Sequence, residues 1–316
     1  MKVGIIGAGS IAGTMAGTIR EMDCAQNYAV AARDYGRAAE FAQTYGFEKA
    51  YGSYEELVED AGVELVYIAT PHSHHYEHIK LCLNHGKHVL CEKSFTVNES
   101  QAREVLALAR EKKLLLTEAI WTRYMPMRKT LDSVLSSGVI GRPYMLTANL
   151  GYIISGKERI MRPELAGGAL LDVGIYPLNF ASMVFGDEVD SITGTAVMTE
   201  TGVDAQNSIT ITYKDGKMAA LCSSAMGLSD RRGIIYGDNG FIEVENINNC
   251  EGIRVYDRSR NMIASYDTPK QISGYEYEVE ACLRAIKEGA LECPEMPHEE
   301  TLRMMGWMDE LRRQWG

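Results

Sequence analysis

The sequence predicts an α/β protein: a doubly wound parallel sheet first, then an α+β part built mostly on an antiparallel sheet. Three observations predict it. Apolar strand signals alternate with helical ones up to residue 120, and a glycine turn, Gly7-Ala8-Gly9, separates the first strand from the first helix. Beyond residue 120 the helices thin out and hairpin signals take over.

Residues 2–6 are an apolar run bounded by Gly7, which reads as a buried strand. Residues 10–21 read as a helix, and residues 28–32 (Tyr-Ala-Val-Ala-Ala) as a second buried strand. A helix over 35–45 places Ala38, Phe41, Ala42 and Tyr45 on one stripe. Strands over 64–69, 87–91 and 114–118 alternate with helices over 74–85 and from the Asn98/Gln101 capping pair to 112. Five strands joined by helices at this spacing require right-handed crossovers, hence a parallel sheet covered on both faces.

In the second part, 125–136 and 168–184 remain helical. Ser208–Tyr213 and Lys217–Cys222 flank an Asp215-Gly216 turn and predict a hairpin. Segments 254–256 and 262–264 repeat the strand theme, and 274–286 and 298–315 return to helix. The expected domains are 1–120 and 121–316, with the C-terminal helix packing back on the first.

The 316-residue length suits two domains with filled cores. A formal charge of −11 repels phosphate backbones, so nucleic acid is not an expected partner. Seven cysteines without a C-x-x-C pair argue against a disulfide framework and structural zinc, and point to the reducing cytoplasm. No apolar run approaches the roughly 20 residues that span a bilayer, and Val3–Gly7 is too short and too glycine-broken for a signal peptide. No membrane partner is expected.

Gly7-Ala8-Gly9-Ser10-Ile11-Ala12 fits the G-x-G-x-x-G/A fingerprint in the strand–turn–helix context it needs. Gly7 permits the tight turn, Gly9 lets backbone N–H groups approach a pyrophosphate, and Ala12 allows close helix–strand packing. The first domain is therefore expected to bind a dinucleotide. Its type is set near the end of the second strand, where Arg33, Asp34 and Arg37 occur. Two arginines favour the 2′-phosphate of NADP, while Asp34 keeps NAD open. Cys91-Glu92-Lys93 ends the fourth strand, where ligands of open α/β sheets bind. An amine there is placed to accept or relay a hydroxyl proton while hydride leaves the carbon.

Taken together, Gly7–Ala12, Ala69-Thr70-Pro71-His72 with His75, Glu92-Lys93 and Gly167–Tyr176 resemble the family of glucose-fructose oxidoreductase and inositol dehydrogenase (Gfo/Idh/MocA). Thr117–Tyr124 is similar to one branch, the dimeric dihydrodiol dehydrogenases that are also NADP-dependent D-xylose dehydrogenases. The resemblance spans the chain. It implies an N-terminal Rossmann domain and a C-terminal substrate domain whose open sheet supports homodimers. It implies a dehydrogenase that oxidises a hydroxyl of a sugar or sugar-like cyclic diol. Lys93 and Tyr176 stand where that branch carries its catalytic pair, and Asp172 is implied to orient Lys93 or a sugar hydroxyl. Thr70, Pro71, His75 and Glu92 are implied cofactor contacts beside Gly7, Ala8, Gly9, Ser10 and Ile11, and Arg33 and Arg37 match NADP-gripping arginines. His72, Trp121 and Tyr176 are implied to line the substrate pocket. Two departures stand out: Ser94 replaces the family's proline, and Asn179 stands where many members carry an acid.

Asp172 and Tyr176, four residues apart, are expected on one helix. His74 and His78 share that spacing, but pocket or packing roles outweigh a metal site, so no metal is expected. Arg123 and Tyr124 read as packing residues, and Glu158, Arg159 and Arg162 as a solvated loop with a secondary capacity to select an anionic substrate. Two alternative functions are a dinucleotide-binding sensor without catalysis and a glycosidase that uses its cofactor transiently.

Overall fold

The computed structural model describes residues 1–316. The chain opens with β1 (Lys2–Ile6), α1 (Ser10–Arg20), β2 (Gln26–Ala31), α2 (Tyr35–Tyr45), β3 (Lys49–Tyr51), α3 (Tyr54–Glu59), β4 (Leu65–Ile68), α4 (His72–Asn84), β5 (His88–Glu92), α5 (Glu99–Lys112) and β6 (Leu116–Ala119). It continues with α6 (Pro126–Ser136), β7 (Pro143–Gly151), α7 (Glu158–Met161), a π-helical turn (Leu170–Gly174), α8 (Ile175–Phe185), β8 (Val189–Met198), β9 (Asp204–Tyr213) and β10 (Met218–Ser224). Strands β11 (Gly233–Gly237), β12 (Gly240–Glu245), β13 (Gly252–Asp257) and β14 (Met262–Asp267) precede α9 (Glu276–Glu288) and α10 (His298–Trp315).

One sheet has the order β3-β2-β1-β4-β5-β6 and is parallel throughout. The predicted doubly wound sheet is present with one more strand than the sequence analysis gave. At three residues, Lys49–Tyr51 is too short to carry a readable alternation. The order reverses direction between β1 and β4, so the carboxyl ends of those strands form a switch point. Both faces are covered: Ile5, Ile6, Val66, Tyr67, Val89 and Leu90 are all buried.

The second sheet has the order β14-β13-β12-β11-β7-β10-β9-β8 and is antiparallel except for β10 on β7. The predicted hairpin is β9–β10, with Gly216 at φ +86° in its turn. Along β10 burial alternates, as expected when one face of a sheet is covered. The covering element is α8 with its π-helical lead-in, which packs on β7 and β10.

The stretch Pro163–Phe185 is long and apolar enough by composition to cross a bilayer, which corrects the expectation that no run approaches that length. It is buried within the protein, where an all-round apolar helix lies against a sheet.

The chain forms two compact units: Met1–Tyr124 with Gln271–Met305, and Met125–Lys270 with Gly306–Gly316. The first unit thus extends beyond the boundary expected at residue 120. Helix α9 joins it because Val279, Ala281, Cys282 and Ala285 form a buried stripe, and α9 packs on β5. The following segment is stitched to β6: Leu116 donates its N–H to the Leu291 carbonyl at 3.1 Å, and His298 Nε2 donates to the Leu116 carbonyl at 2.8 Å.

Candidate active site

In the first unit every strand of the sheet runs the same way, so the segments after β1, β2, β4, β5 and β6 all emerge along one edge. That edge gathers the Gly7–Ile11 turn, Arg33 with Asp34 and Arg37, Thr70-Pro71-His72, Lys93, and Trp121.

The glycine turn is built as its chemistry requires. Gly7 has φ +103°, and a Cβ there would lie 2.9 Å from the Ala69 carbonyl oxygen. Gly9 caps α1 at φ −95°, and a Cβ there would meet no protein atom within 4 Å. Glycine at position 9 is therefore not demanded by packing; it keeps open the space in front of the first α1 amides, where an anion is favoured. That cradle fits a dinucleotide pyrophosphate.

Arg33, Asp34 and Arg37 are exposed. The Asp34 Oδ1 accepts the Arg37 N–H at 2.8 Å as the N-cap of α2, and the Arg37 Nη2 donates to the Ala8 carbonyl at 2.9 Å. Arg37 thus braces the glycine turn, leaving Arg33 as the arginine not tied to it. The Tyr54 ring packs edge-on against His78 at 4.7 Å, and both arginine charges act on its hydroxyl. His78 Nδ1 lies 3.0 Å from the Thr70 hydroxyl, and burial, reinforced by His74, His75 and Arg33, lowers its pKa to about 4. Tyr54 carries no motif, and sequence reasoning missed it; His78, singled out there for its spacing from His74, has the packing role that was favoured over a metal site.

His72 opens α4 and is buried, with its ring 5.8 Å from that of His75. His75 is fully buried between two carbonyls, Nδ1 at 2.9 Å from that of Ser94 and Nε2 at 2.8 Å from that of Thr70. A cationic ring would serve both carbonyls. Burial without a counter-charge wins and lowers the pKa to about 4, with Lys93 acting in the same direction. The neutral ring has a single N–H and donates it to one of these two carbonyls, Thr70 or Ser94. No group of three or more His, Cys, Asp or Glu side chains is arranged to hold a metal ion.

Lys93 follows β5 directly and is half-buried; the Lys93–Ser94 peptide is cis. Its N–H donates to the Glu92 Oε2 at 3.2 Å, and the Tyr67 hydroxyl donates to the Glu92 Oε1. Near Glu92 lie two further buried acids. Glu118 accepts the Phe95 N–H at 3.2 Å, and burial pushes its pKa up to about 7. Glu278, on α9, is fully buried with no hydrogen-bond partner for either carboxyl oxygen. Burial and the nearby Glu92 raise its pKa well above the usual carboxylate range. The available signal was a charged letter on an otherwise apolar strand or stripe, which does not reveal its neighbours.

A raised carboxyl pKa favours the fold while the group is protonated, and that contribution is lost as pH climbs from 4.5 through about 7. The distance between those values corresponds to about 3 kcal/mol. Denaturant unfolding of Glu118→Gln at about pH 4.5 and about pH 8 should show a stability loss smaller than that of the native protein by about this amount. Equal losses in the two proteins would refute the assignment.

Trp121 stacks on Tyr275, with ring centroids 4.3 Å apart and planes at 22°. Tyr275 lies 154 residues further along the chain, and no sequence pattern pairs it with Trp121. Arg123 pairs with Glu300, and Tyr124 donates to the Glu118 carbonyl at 2.9 Å, consistent with the packing roles read from sequence.

The second unit carries Asp172 and Tyr176, both buried. They do not share one regular α-helix, as their spacing suggested: Leu170–Gly174 is π-helical and Tyr176 belongs to α8. The inserted residue changes which side chains align, and such bulges concentrate at functional sites. Asn179 donates to the Ile175 carbonyl at 2.9 Å, a contact within its own helix. Arg159 is not merely a solvated loop residue: its Nη1 lies 2.7 Å from the Asp172 Oδ1.

A phosphate cradle at the switch point of a parallel sheet, with a lysine on the same carboxyl edge, places the protein among the NAD(P)-dependent oxidoreductases. Comparison with known proteins agrees. Residues 1–120 match the oxidoreductase family with an NAD-binding Rossmann fold, and residues 129–243 match the GFO/IDH/MocA C-terminal domain. The chain belongs to the GFO/IDH/MocA oxidoreductase family. It is 33% identical to the trans-1,2-dihydrobenzene-1,2-diol dehydrogenase of Xenopus tropicalis, covering 100% of this chain and 98% of that one. Identity to the Homo sapiens enzyme of the same name is 35%, covering 99% and 96%. Among solved structures, the 3-ketoreductase KijD10 of Actinomadura kijaniata, crystallised with NADP, superposes with a TM-score of 0.92 at 24% identity, covering 100% and 98% of the two chains. The aldose-aldose oxidoreductase of Caulobacter crescentus gives a TM-score of 0.90 at 18% identity, covering 99% and 97%.

Proposed function

We propose that this enzyme reversibly oxidises a hydroxyl-bearing carbon of a sugar or sugar-like cyclic diol with NADP. The observation that carries the reading is Lys93 at the sheet edge that also holds the Gly9 cradle. The dihydrodiol dehydrogenases matched over the whole chain supply the substrate class.

When bound, the dinucleotide supplies hydride acceptance. Gly7, Ala8, Gly9, Ser10 and Ile11 present amides to the pyrophosphate, and Arg33 and Arg37 hold the 2′-phosphate. Asp34, engaged as a helix cap, is a poorer ribose ligand than an uncommitted acid, which favours NADP over NAD. Thr70, Pro71, His75 and Glu92 shape the floor around the cofactor, with the buried His75 ring lying between the backbone carbonyls of Thr70 and Ser94. His72 and the stacked Trp121–Tyr275 pair bind the ring or carbon skeleton of the substrate. Lys93 and Tyr176 hold and move the hydroxyl proton as hydride departs, and Asp172 orients a hydroxyl or amine. A second copy of this chain covers the free face of the eight-stranded sheet. That face has a concavity of about 420 Å³ lined by Asn149, Thr195, Val197, Gln206 and Cys222. The compartment is the cytoplasm, in keeping with seven free thiols.

The test follows cofactor reduction with D-xylose, other sugars and trans-1,2-dihydrobenzene-1,2-diol, using NADP and NAD in parallel. Turnover of at least one of these with NADP is expected; none with either nucleotide overturns the reading. Arg33→Ala should weaken NADP affinity by about tenfold and leave NAD within about twofold. Equal weakening of both would remove Arg33 from the phosphate site.

A further inference from the structure

We propose that Arg159 is a positioning residue of the catalytic site, holding the Asp172 carboxylate charged and fixed in direction, an inference that rests on the reading above that Asp172 serves the reaction. The contact is a two-pronged one: Arg159 Nη1 to Asp172 Oδ1 at 2.7 Å and Nη2 to Oδ2 at 3.5 Å. Asp172 is only 4% exposed, whereas the Arg159 side chain is 38% exposed. A carboxylate removed from water either takes a proton or needs a permanent counter-charge, and guanidinium does not give up its proton. A planar fork also fixes the plane of the carboxylate, which an ammonium would not.

The backbone is shaped to deliver this side chain. Short helix α7, which carries Arg159, is anchored by the buried Ile160, whose carbonyl accepts the Gly168 N–H at 2.8 Å. A Cβ on Gly167 would sit 2.4 Å from the same Ile160 oxygen, so only glycine lets the chain close on α7 here. Gly168 has φ +107°, and a Cβ there would lie 2.3 Å from the Asp204 Oδ1. Asp204 is buried and accepts the Leu170 N–H at 2.8 Å, fixing the first residue of the π-helical turn that holds Asp172. Two glycines and one buried acid thus dock α7 immediately before Asp172. Exposed loop residues with no task seldom receive that much scaffolding.

The experiment is a double-mutant cycle on the intact enzyme, using whichever sugar or diol of the panel the native protein turns over. Arg159→Ala should lower kcat by about tenfold or more with KM for the nucleotide within about twofold, and Arg159→Lys should recover part of the loss. In an Asp172→Asn background, Arg159→Ala should cost nothing further, because its effect passes through Asp172. An Arg159→Ala enzyme with native kcat overturns the proposal, as does an equal loss in both backgrounds. If Arg159→Ala fails to fold, Arg159→Lys and Arg159→Gln complete the cycle. A native protein that oxidises nothing in the panel takes down the functional reading and this inference together. An active native enzyme indifferent to Arg159 takes down this inference alone.

Discussion

Lys93→Met should lower kcat by a factor of about 10² to 10⁴, the range spanned by a positioned acid or base, while NADP affinity stays within about threefold. Methionine keeps most of the length and volume of the side chain and removes the amine. The variant also retains two neighbouring contacts of the scaffold: Glu92 is held by the Tyr67 hydroxyl and receives the Lys93 backbone N–H. The loss should therefore fall on turnover and leave the fold intact. Steady-state kinetics with a fluorescence titration of NADP separates the two terms. Native turnover in the variant removes Lys93 from catalysis, and lost nucleotide affinity with unchanged kcat reassigns it to binding.

The second large effect is expected at Gly9. A Cβ at this position meets no protein atom within 4 Å, and φ −95° is ordinary for any L-residue. Gly9→Val should fold normally, with melting shifted by no more than about 3 °C. Its branched side chain would nonetheless stand where the pyrophosphate meets the α1 amides, and affinity for NADP should fall by about 100-fold or more, roughly 3 kcal/mol. Gly7→Ala is the contrasting case. Its φ of +103° and the Ala69 oxygen 2.9 Å from a new Cβ put the damage into the fold itself, at about 1–3 kcal/mol. Calorimetric melting and titration of both variants check the pair. A Gly9→Val protein that binds NADP normally removes the dinucleotide from this cradle.

Much of the first unit was legible because its signals are local. Alternation of short apolar runs with helical stripes marks β1, β2, β4, β5 and β6, and the glycine turn needs only its flanking strand and helix to be understood. Asn98 could be read as a cap because a cap is defined by residues three apart, and its side chain does accept the Gln101 N–H at 2.9 Å. What escaped is non-local or unsigned. Strand β3 is too short for periodicity, and the π-helical turn before α8 leaves no compositional trace. The Trp121–Tyr275 stack and the burial of Glu278 arise only because a distant segment returns to the first sheet. Arg159 illustrates the remaining limit. Charged residues in a glycine-flanked loop look solvated until the fold shows which buried carboxylate one of them faces.

The return of residues 271–305 to the first compact unit has a consequence for biosynthesis. A ribosome releases the nucleotide-binding half first, yet the outer edge of β6 waits for the Leu291 carbonyl and the covering of β5 waits for α9. Until those late residues leave the exit tunnel, an apolar sheet margin lies open to solvent and to neighbouring nascent chains. The half that emerges first is therefore among the last to be completed, and chaperone protection during translation matters most for the part of the chain whose pattern is easiest to read.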